Sequence, residues 1–140
     1  MYPEIWVTPM REELTRIGFL QLHTPADVDA ALATEGTTLL VVNTFCPHAV
    51  LARPAVAQAL QSAPRPDHLV TVFAGQDLAP TARARAFLAP YQPSSPAFAL
   101  FSGGKLIFMM ERDQILGRPV EAIAADLAAA FGHFCVASGV

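Results

Sequence analysis

The residues of this chain that are able to do covalent chemistry are concentrated where an apolar run ends at a cysteine. Leu39 to Val42 form a short apolar run flanked by threonine and asparagine, which is typical of a strand covered on both faces. Cys46 follows, and Pro47 predicts that a helix begins there. The unpaired N–H groups and positive dipole end of a helix start favour a thiolate, the form that attacks disulfides. Cys46 is therefore the candidate nucleophile of a thiol–disulfide exchange.

His48, two residues after Cys46, is a candidate electrostatic partner of the thiol. A protonated histidine, or one that donates a hydrogen bond to sulfur, favours the thiolate further. The alternatives are a surface histidine on the first helical turn and, for Cys46, a small buried apolar side chain at a strand end. The sequence alone leaves both pairs of readings open.

A second sulfur is absent from the Cys-Pro-His-Ala motif that begins at Cys46, so a disulfide within the motif is excluded. Resolution of a mixed disulfide then needs a small thiol, another protein or Cys135, because exchange requires a second attacking thiolate. Cys135 is a candidate resolving cysteine, or a cysteine of the C-terminal tail without a catalytic role. The side chains of zinc-ligand types considered are Cys46, His48, His133 and Cys135. Their spacing matches no recognised zinc motif, so we expect no metal and no tightly bound cofactor.

The composition limits the class of protein. Of the 140 residues, 53% are hydrophobic and 15% are charged, values that permit a well-filled core and argue against disorder. The net charge is -3 without a cluster of lysine and arginine, so no nucleic-acid partner is expected. Neither a membrane-spanning run nor a signal-peptide pattern occurs, which predicts a cytoplasmic protein without membrane association. We expect a single domain spanning residues 1–140.

Helical and strand patterns alternate along the first half of the chain. A helix is predicted over residues 3–17, and a second one begins after Thr24, a capping residue followed by proline. The strand before Cys46 and a second apolar strand over residues 68–74 are separated by a predicted helix over residues 47–61. That helix is the crossover that neighbouring parallel strands require.

The second half adds a helix, an antiparallel hairpin and a final helix. Ala97 to Phe101 and Leu106 to Met110 are apolar runs joined by a glycine-containing turn, and apolar residues recur at helical spacing from Val120 to Phe131. The bond between Ser95 and Pro96 is a candidate cis peptide, with a trans turn as the alternative. The whole pattern predicts an α/β fold: a central mixed sheet of about four strands, a parallel pair plus an antiparallel hairpin, with helices on both faces and an extra N-terminal helix.

Several segments, in order along nearly the whole chain, resemble the bacilliredoxin family of thioredoxin-like proteins. These segments cover residues 9–15, 35–39, 41–43, 51–55, 70–77, 93–96 and 127–131. The resemblance implies a thioredoxin-like fold in which Pro96 is a cis-proline that faces the active-site thiol and aligns the extended backbone of a substrate. We expect its neighbour Ser95, and Pro47 beside Cys46, to contribute to substrate binding.

The resemblance also implies an activity. Cys46 would attack S-bacillithiolated cytosolic proteins, take bacillithiol onto its own sulfur and release the protein thiol in reduced form. Bacillithiol is then the small-thiol co-substrate, and the expected partners are bacillithiol and S-bacillithiolated proteins. This activity would serve redox homeostasis and defence against oxidative stress, in a monomer or a homodimer.

The chain departs from the family in the motif itself, where the family usually has Cys-Gly-Cys and this sequence has Cys46, Pro47 and His48. The missing second cysteine argues against a dithiol isomerase activity, whereas a monothiol exchange needs only Cys46. The motif is also similar to the Cys-Pro-His-Cys of periplasmic oxidases, in which the histidine stabilises the thiolate. We therefore predict a monothiol thiol–disulfide oxidoreductase. The alternatives are a redox-inactive binding or scaffolding module of the same fold and a protein that binds metal through Cys46 and His48.

Overall fold

The computed structural model of the chain describes residues 1–62 and 64–135, with the side chain of His48 outside that description. These residues form the helices α1 (Glu4–Thr15), α2 (Pro25–Leu32), α3 (Ala52–Ala59), α4 (Leu78–Phe87) and α5 (Val120–Phe134). They form the strands β1 (Leu20–Gln21), β2 (Thr37–Thr44), β3 (His68–Ala74), β4 (Ala97–Ser102) and β5 (Lys105–Met110). Short 3-10 helices cover Pro47–Leu51 and Arg112–Gln114.

The strands form one mixed sheet in the order β1-β3-β2-β4-β5. β1, β3 and β2 are parallel to one another, whereas β4 is antiparallel to β2 and to β5. The predicted parallel pair, the hairpin and the α/β class are therefore confirmed. The expected count of about four strands is one too low, because the sequence pattern misses β1. This edge strand has only two residues, and its Leu20 is 63% exposed, so it carries no alternation of buried and exposed positions.

Side chains on both faces of the sheet are buried under helices, as predicted. Leu39 and Val41 of β2 belong to the cluster formed with α1, α3 and α5, whereas Leu40 and Val42 belong to the cluster formed with α2 and α4. Successive side chains of a strand point to opposite faces, so β2 supplies both cores and is a nearly continuous apolar run. Each such buried aliphatic side chain stabilises the fold by roughly 1.5–3 kcal/mol.

The helix that follows Cys46 differs from its prediction. In place of one α-helix over residues 47–61, a five-residue 3-10 helix, Pro47–Leu51, is followed by the separate helix α3. Pro54 explains the division, because it falls in the first turn of α3, where its missing N–H removes no intrahelical hydrogen bond. A continuous helix would have placed this proline in its interior, at the cost of one such bond.

None of the helices in the described part of the chain has the length and apolar character that a membrane-spanning helix needs.

Candidate active site

Cys46 lies two residues beyond the end of β2, in the connection to the 3-10 helix. Its side chain is partly exposed, and its carbonyl oxygen accepts the N–H of Ala49 at 2.8 Å. The N–H of Cys46 donates to Oγ1 of Thr44 at 3.5 Å. The carboxyl ends of parallel strands are the edge at which open α/β sheets bind ligands, so the thiol lies where an exchange partner is able to approach.

The peptide bond between Ser95 and Pro96 is cis, which confirms the predicted conformation. The pairing of β2 with β4 ends at Val42 and Ala97, and one further step along this register brings Pro96 beside Asn43. Pro96 therefore lies at the same edge of the sheet as Cys46, on the strand next to the one that carries the thiol.

An open pocket of about 320 Å³ lies next to Ser95, at the same end of the hairpin. Its wall includes Glu111, Arg112 and Asp113, which follow the end of β5. The pocket therefore offers carboxylates, a guanidinium group and hydroxyl groups to a polar ligand. These three residues were not among the site residues predicted from sequence, because nothing in the sequence distinguishes them from ordinary surface residues.

A buried arginine that was not among the residues predicted from sequence lies behind the connection that carries Cys46. Arg53 of α3 is only 5% exposed. Its Nη1 donates to Oδ1 of Asn43 at 3.1 Å and to the carbonyl oxygen of Thr44 at 3.3 Å, while its Nε donates to the carboxylate of Glu13 in α1. The sequence contains one indication that Arg53 is buried. Arg53 and Val56 are three residues apart, so they lie on the same, inward face of the helix.

An aromatic cluster flanks Cys46 on the side of α1. The ring of Phe45, the residue before Cys46, stacks on Tyr2 with centroids 4.1 Å apart and on Trp6 with centroids 6.1 Å apart. Tyr2 is 40% exposed and Trp6 is 56% exposed. Residues 2–6, at the start of α1 and just before it, therefore place apolar, partly exposed surface beside the candidate nucleophile.

Ion pairs hold the N-terminal helix against this edge. Arg11 donates to both carboxylate oxygens of Asp77, at 2.7 and 3.0 Å, and to Glu4 at 2.6 Å. The hydrogen bond to Asp77 raises the pKa of Arg11, and the hydrogen bond from Arg11 lowers the pKa of Glu4. Gln76 adds hydrogen bonds to Glu4 and to the backbone of Tyr2. The loop after β3 thereby fixes the start of α1.

Cys135 lies far from Cys46. It is 6% exposed, belongs to the core cluster at the end of α5, and lies near the side chain of Thr37, the first residue of β2. Burial raises the pKa of the Cys135 thiol, although the Thr37 hydroxyl partly opposes this effect. Both cysteines are thiols rather than halves of a disulfide.

The predicted role of His48 falls on a side chain that lies outside the described residues; its backbone belongs to the 3-10 helix after Cys46. Pro47 is the exposed first residue of that helix. Among the side chains that the structure describes, no three of histidine, cysteine, aspartate or glutamate come together as metal ligands.

Comparison with solved structures defines the class. The chain superposes on thioredoxin O2 from Arabidopsis thaliana with a TM-score of 0.58, covering 84% of this chain and 95% of that one at 14% identity. It superposes on the thioredoxin Mala s 13 from Malassezia sympodialis with a TM-score of 0.57, covering 84% and 90% of the two chains at 10% identity. The protein has a thioredoxin fold.

Sequence comparison then narrows the class to a family. A profile described as disulphide isomerase matches residues 2–135. A bacilliredoxin of Salinibacter ruber is 51% identical over 138 residues, which cover 96% of this chain and 80% of the relative. Another, of Halalkalibacterium halodurans, is 48% identical over 131 residues, which cover 92% and 91% of the two chains. The chain belongs to the bacilliredoxin family, and this membership supports a thiol–disulfide oxidoreductase role.

Proposed function

We propose that this protein is a monothiol bacilliredoxin, a cytoplasmic enzyme that removes bacillithiol from S-bacillithiolated proteins. Its proposed role is in redox homeostasis and defence against oxidative stress. The observation that carries the proposal is the position of Cys46, a partly exposed thiol at the same sheet edge as the cis Ser95–Pro96 peptide. Family membership supports the same chemistry.

The proposed step is one thiol–disulfide exchange. The thiolate of Cys46 attacks the bacillithiol sulfur of the target's mixed disulfide, so a new S–S bond forms between Cys46 and bacillithiol while the old one breaks. The electron pair of the broken bond leaves with the target sulfur, which departs as a thiolate and takes up a proton from water. The disulfide moves from the target to the enzyme, and no outside oxidant or reductant takes part.

The predicted site residues have distinct proposed roles. Pro96 presents an edge against which the extended backbone of the target aligns, and Ser95 and Pro47 contribute further contacts to the target. His48 favours the thiolate of Cys46 electrostatically. The aromatic cluster of Phe45, Tyr2 and Trp6 gives the target an apolar surface beside the thiol.

Regeneration of Cys46 in this proposal depends on a small thiol from solution. Cys135 is buried near the start of β2, whereas Cys46 follows the end of the same strand. A free bacillithiol molecule attacks the bacillithiol sulfur on Cys46, releasing bacillithiol disulfide and the Cys46 thiolate. The proposed partners are thus bacillithiol and S-bacillithiolated proteins.

Multiple-turnover release of protein thiol tests the function. An S-bacillithiolated target is incubated with catalytic amounts of enzyme and excess bacillithiol, and its reduced thiol is titrated over time. We expect release by the native protein and by Cys135→Ser, and none above background with Cys46→Ser. Equal release with native protein and Cys46→Ser would rule out the proposed nucleophile, and a redox-inactive module would then be the better description.

A further inference from the structure

The loop that carries Cys46, residues 44–52, is bridged by one buried side chain that joins its two ends. Arg53 is the second residue of α3 and directly follows this loop. Its guanidinium donates to the carbonyl oxygen of Thr44, the first residue of the loop, at 3.3 Å. We propose that Arg53 is a positioning residue that holds the Cys46 loop in the conformation from which the thiol reacts.

The burial of Arg53 is costly in itself, which indicates a specific role. Among the buried side chains that the structure describes, Arg53 is the one that carries a full charge. A buried charge is unfavourable unless it is paired and hydrogen-bonded. The neighbouring inward positions of α3 hold alanine and valine, and an apolar residue at position 53 would avoid that cost. The guanidinium supplies what an apolar side chain lacks, two donors directed at the end of β2.

Asn43 and Glu13 complete the arrangement. Asn43 is 2% exposed, and its Oδ1 accepts both the guanidinium of Arg53 and the N–H of Thr44, the latter at 2.9 Å. Its Nδ2 donates to the carbonyl oxygen of Met10 at 3.2 Å, while Glu13 pairs with Nε of Arg53. Helix α1, strand β2 and helix α3 are therefore joined at one point. From this point the contact continues through Oγ1 of Thr44 to the N–H of Cys46.

Hydrogen exchange in Arg53→Lys tests this positioning. Lysine keeps the charge that faces Glu13, but its ammonium group is a single point and does not reproduce the planar fork of arginine. We expect exchange of the amides of Cys46 and Ala49 to become about tenfold faster, because the loop loses hydrogen bonds to a charged group. Amides at Leu39 to Val42, inside β2, should keep their exchange rates. If Arg53 only stabilised the fold as a whole, amide exchange would become faster in the loop and in β2 alike.

Arg118→Lys is the matched control. Arg118 is also partly buried, pairs with Asp126 and donates to the carbonyl oxygens of Gln114 and Ala122, so its contacts lie outside the Cys46 loop. The loop amides of this variant should exchange within about twofold of the native rate, since no contact of residues 44–52 is removed. A second variant, Glu13→Gln, leaves the Arg53 fork in place without its counter-charge. This variant should also accelerate exchange of the loop amides, by a smaller factor than Arg53→Lys, and leave the β2 amides unchanged.

The transfer rate gives a second readout, and that part of the inference rests on the proposed function. Single-turnover transfer of bacillithiol to Arg53→Lys should be about tenfold slower than to the native chain, whereas transfer to Arg118→Lys should stay close to the native rate. A native chain that accepts no bacillithiol would refute the proposed function but would leave the exchange experiment decisive. Two results would overturn the role of Arg53. In one, the loop amides of both Arg53→Lys and Glu13→Gln exchange at the native rate; in the other, the amides of β2 become faster by the same factor as those of the loop.

Discussion

Cys46 and Cys135 lie at opposite ends of the central strand. Cys135 contacts Thr37, the first residue of β2, and Cys46 comes two residues after Thr44, the last one. The eight residues of this strand span about 23 Å at roughly 3.3 Å per residue. A disulfide needs Cα atoms within about 7 Å, so the folded chain does not join the two sulfurs directly.

This separation predicts different outcomes for the two cysteines in alkylation. In the folded protein, a limiting amount of iodoacetamide should label Cys46 and leave Cys135 largely unmodified, because Cys135 is buried and Cys46 is partly exposed. Peptide mapping by mass spectrometry measures the ratio of the two products. In denaturant the preference should disappear, and a preference that persists there would mean that burial is not its cause.

The raised pKa of Cys135 predicts a pH dependence of stability. A thiol whose folded pKa lies above its unfolded value holds its proton more tightly in the folded state. Its contribution to stability is therefore complete below the unfolded pKa of about 8.5, and it is lost as the pH rises through the folded pKa. Urea unfolding measured from neutral to alkaline pH should show a loss of stability in the native chain that is smaller in Cys135→Ala. Identical slopes in both proteins would contradict the assignment to Cys135.

The lowered pKa of Glu4 predicts that the start of α1 loosens in acid. A carboxyl group with a depressed folded pKa contributes stability above its unfolded pKa, about 4.3, and this contribution is lost as the pH falls through the folded value. Trp6 is the only tryptophan in the chain, and it stacks on Phe45, so its fluorescence reports this contact. We expect a change in its emission below about pH 4, before global unfolding.

Two variants separate this effect from a general acid response. Glu4→Gln removes the titrating carboxylate that accepts from Arg11, so it should abolish the acid-dependent step in Trp6 emission. Glu12→Gln is the control, because Glu12 lies on the same helix and pairs with Arg16 on the exposed surface. In Glu12→Gln, the Trp6 emission should change with pH as it does in the native chain. An unchanged step in Glu4→Gln would mean that another group controls the stack.

Gly36 is predicted to be a sensitive position of the fold. It has φ +86°, and a Cβ atom there would lie 2.5 Å from Oδ2 of Asp67, which accepts the N–H and the hydroxyl of Thr37. Gly75, with φ +79° and open space around it, is a matched control that carries only the backbone cost. Alanine at either position should cost roughly 1–2 kcal/mol for the left-handed backbone. Gly36→Ala should cost about 1–3 kcal/mol more because of the clash, as measured by urea unfolding. Equal losses would show that Asp67 moves freely.

Much of the fold was predictable because strong local patterns agree with the tertiary contacts. The predicted bounds of the strand over residues 68–74 match β3, and Thr24 caps α2 with its hydroxyl as expected. The turn between β4 and β5 contains two glycines with positive φ, which is what a sequence with paired glycines favours. Strand β1 was missed because two residues give no periodicity, and its partner β3 alone makes it a strand.

The site was predictable only in its most local parts. Cys46 and the cis Ser95–Pro96 peptide carry their own sequence signals, a strand-to-helix junction and an X-Pro bond. Arg53 could not be assigned to the loop, because its partners Asn43 and Glu13 come from two other elements that only the tertiary fold brings together. The same is true of Tyr2 and Trp6, whose contact with Phe45 spans about forty residues of sequence.

The most direct measurement of the central claim is the intact mass of Cys135→Ser after it is mixed with one equivalent of an S-bacillithiolated protein, without free bacillithiol, and quenched with acid. Since Cys46 is then the only cysteine, the account predicts that the enzyme gains the mass of one bacillithiol less two hydrogen atoms while the target loses the same mass. Peptide mapping should place the added group on Cys46. An enzyme of unchanged mass beside a target that is still bacillithiolated would contradict the account.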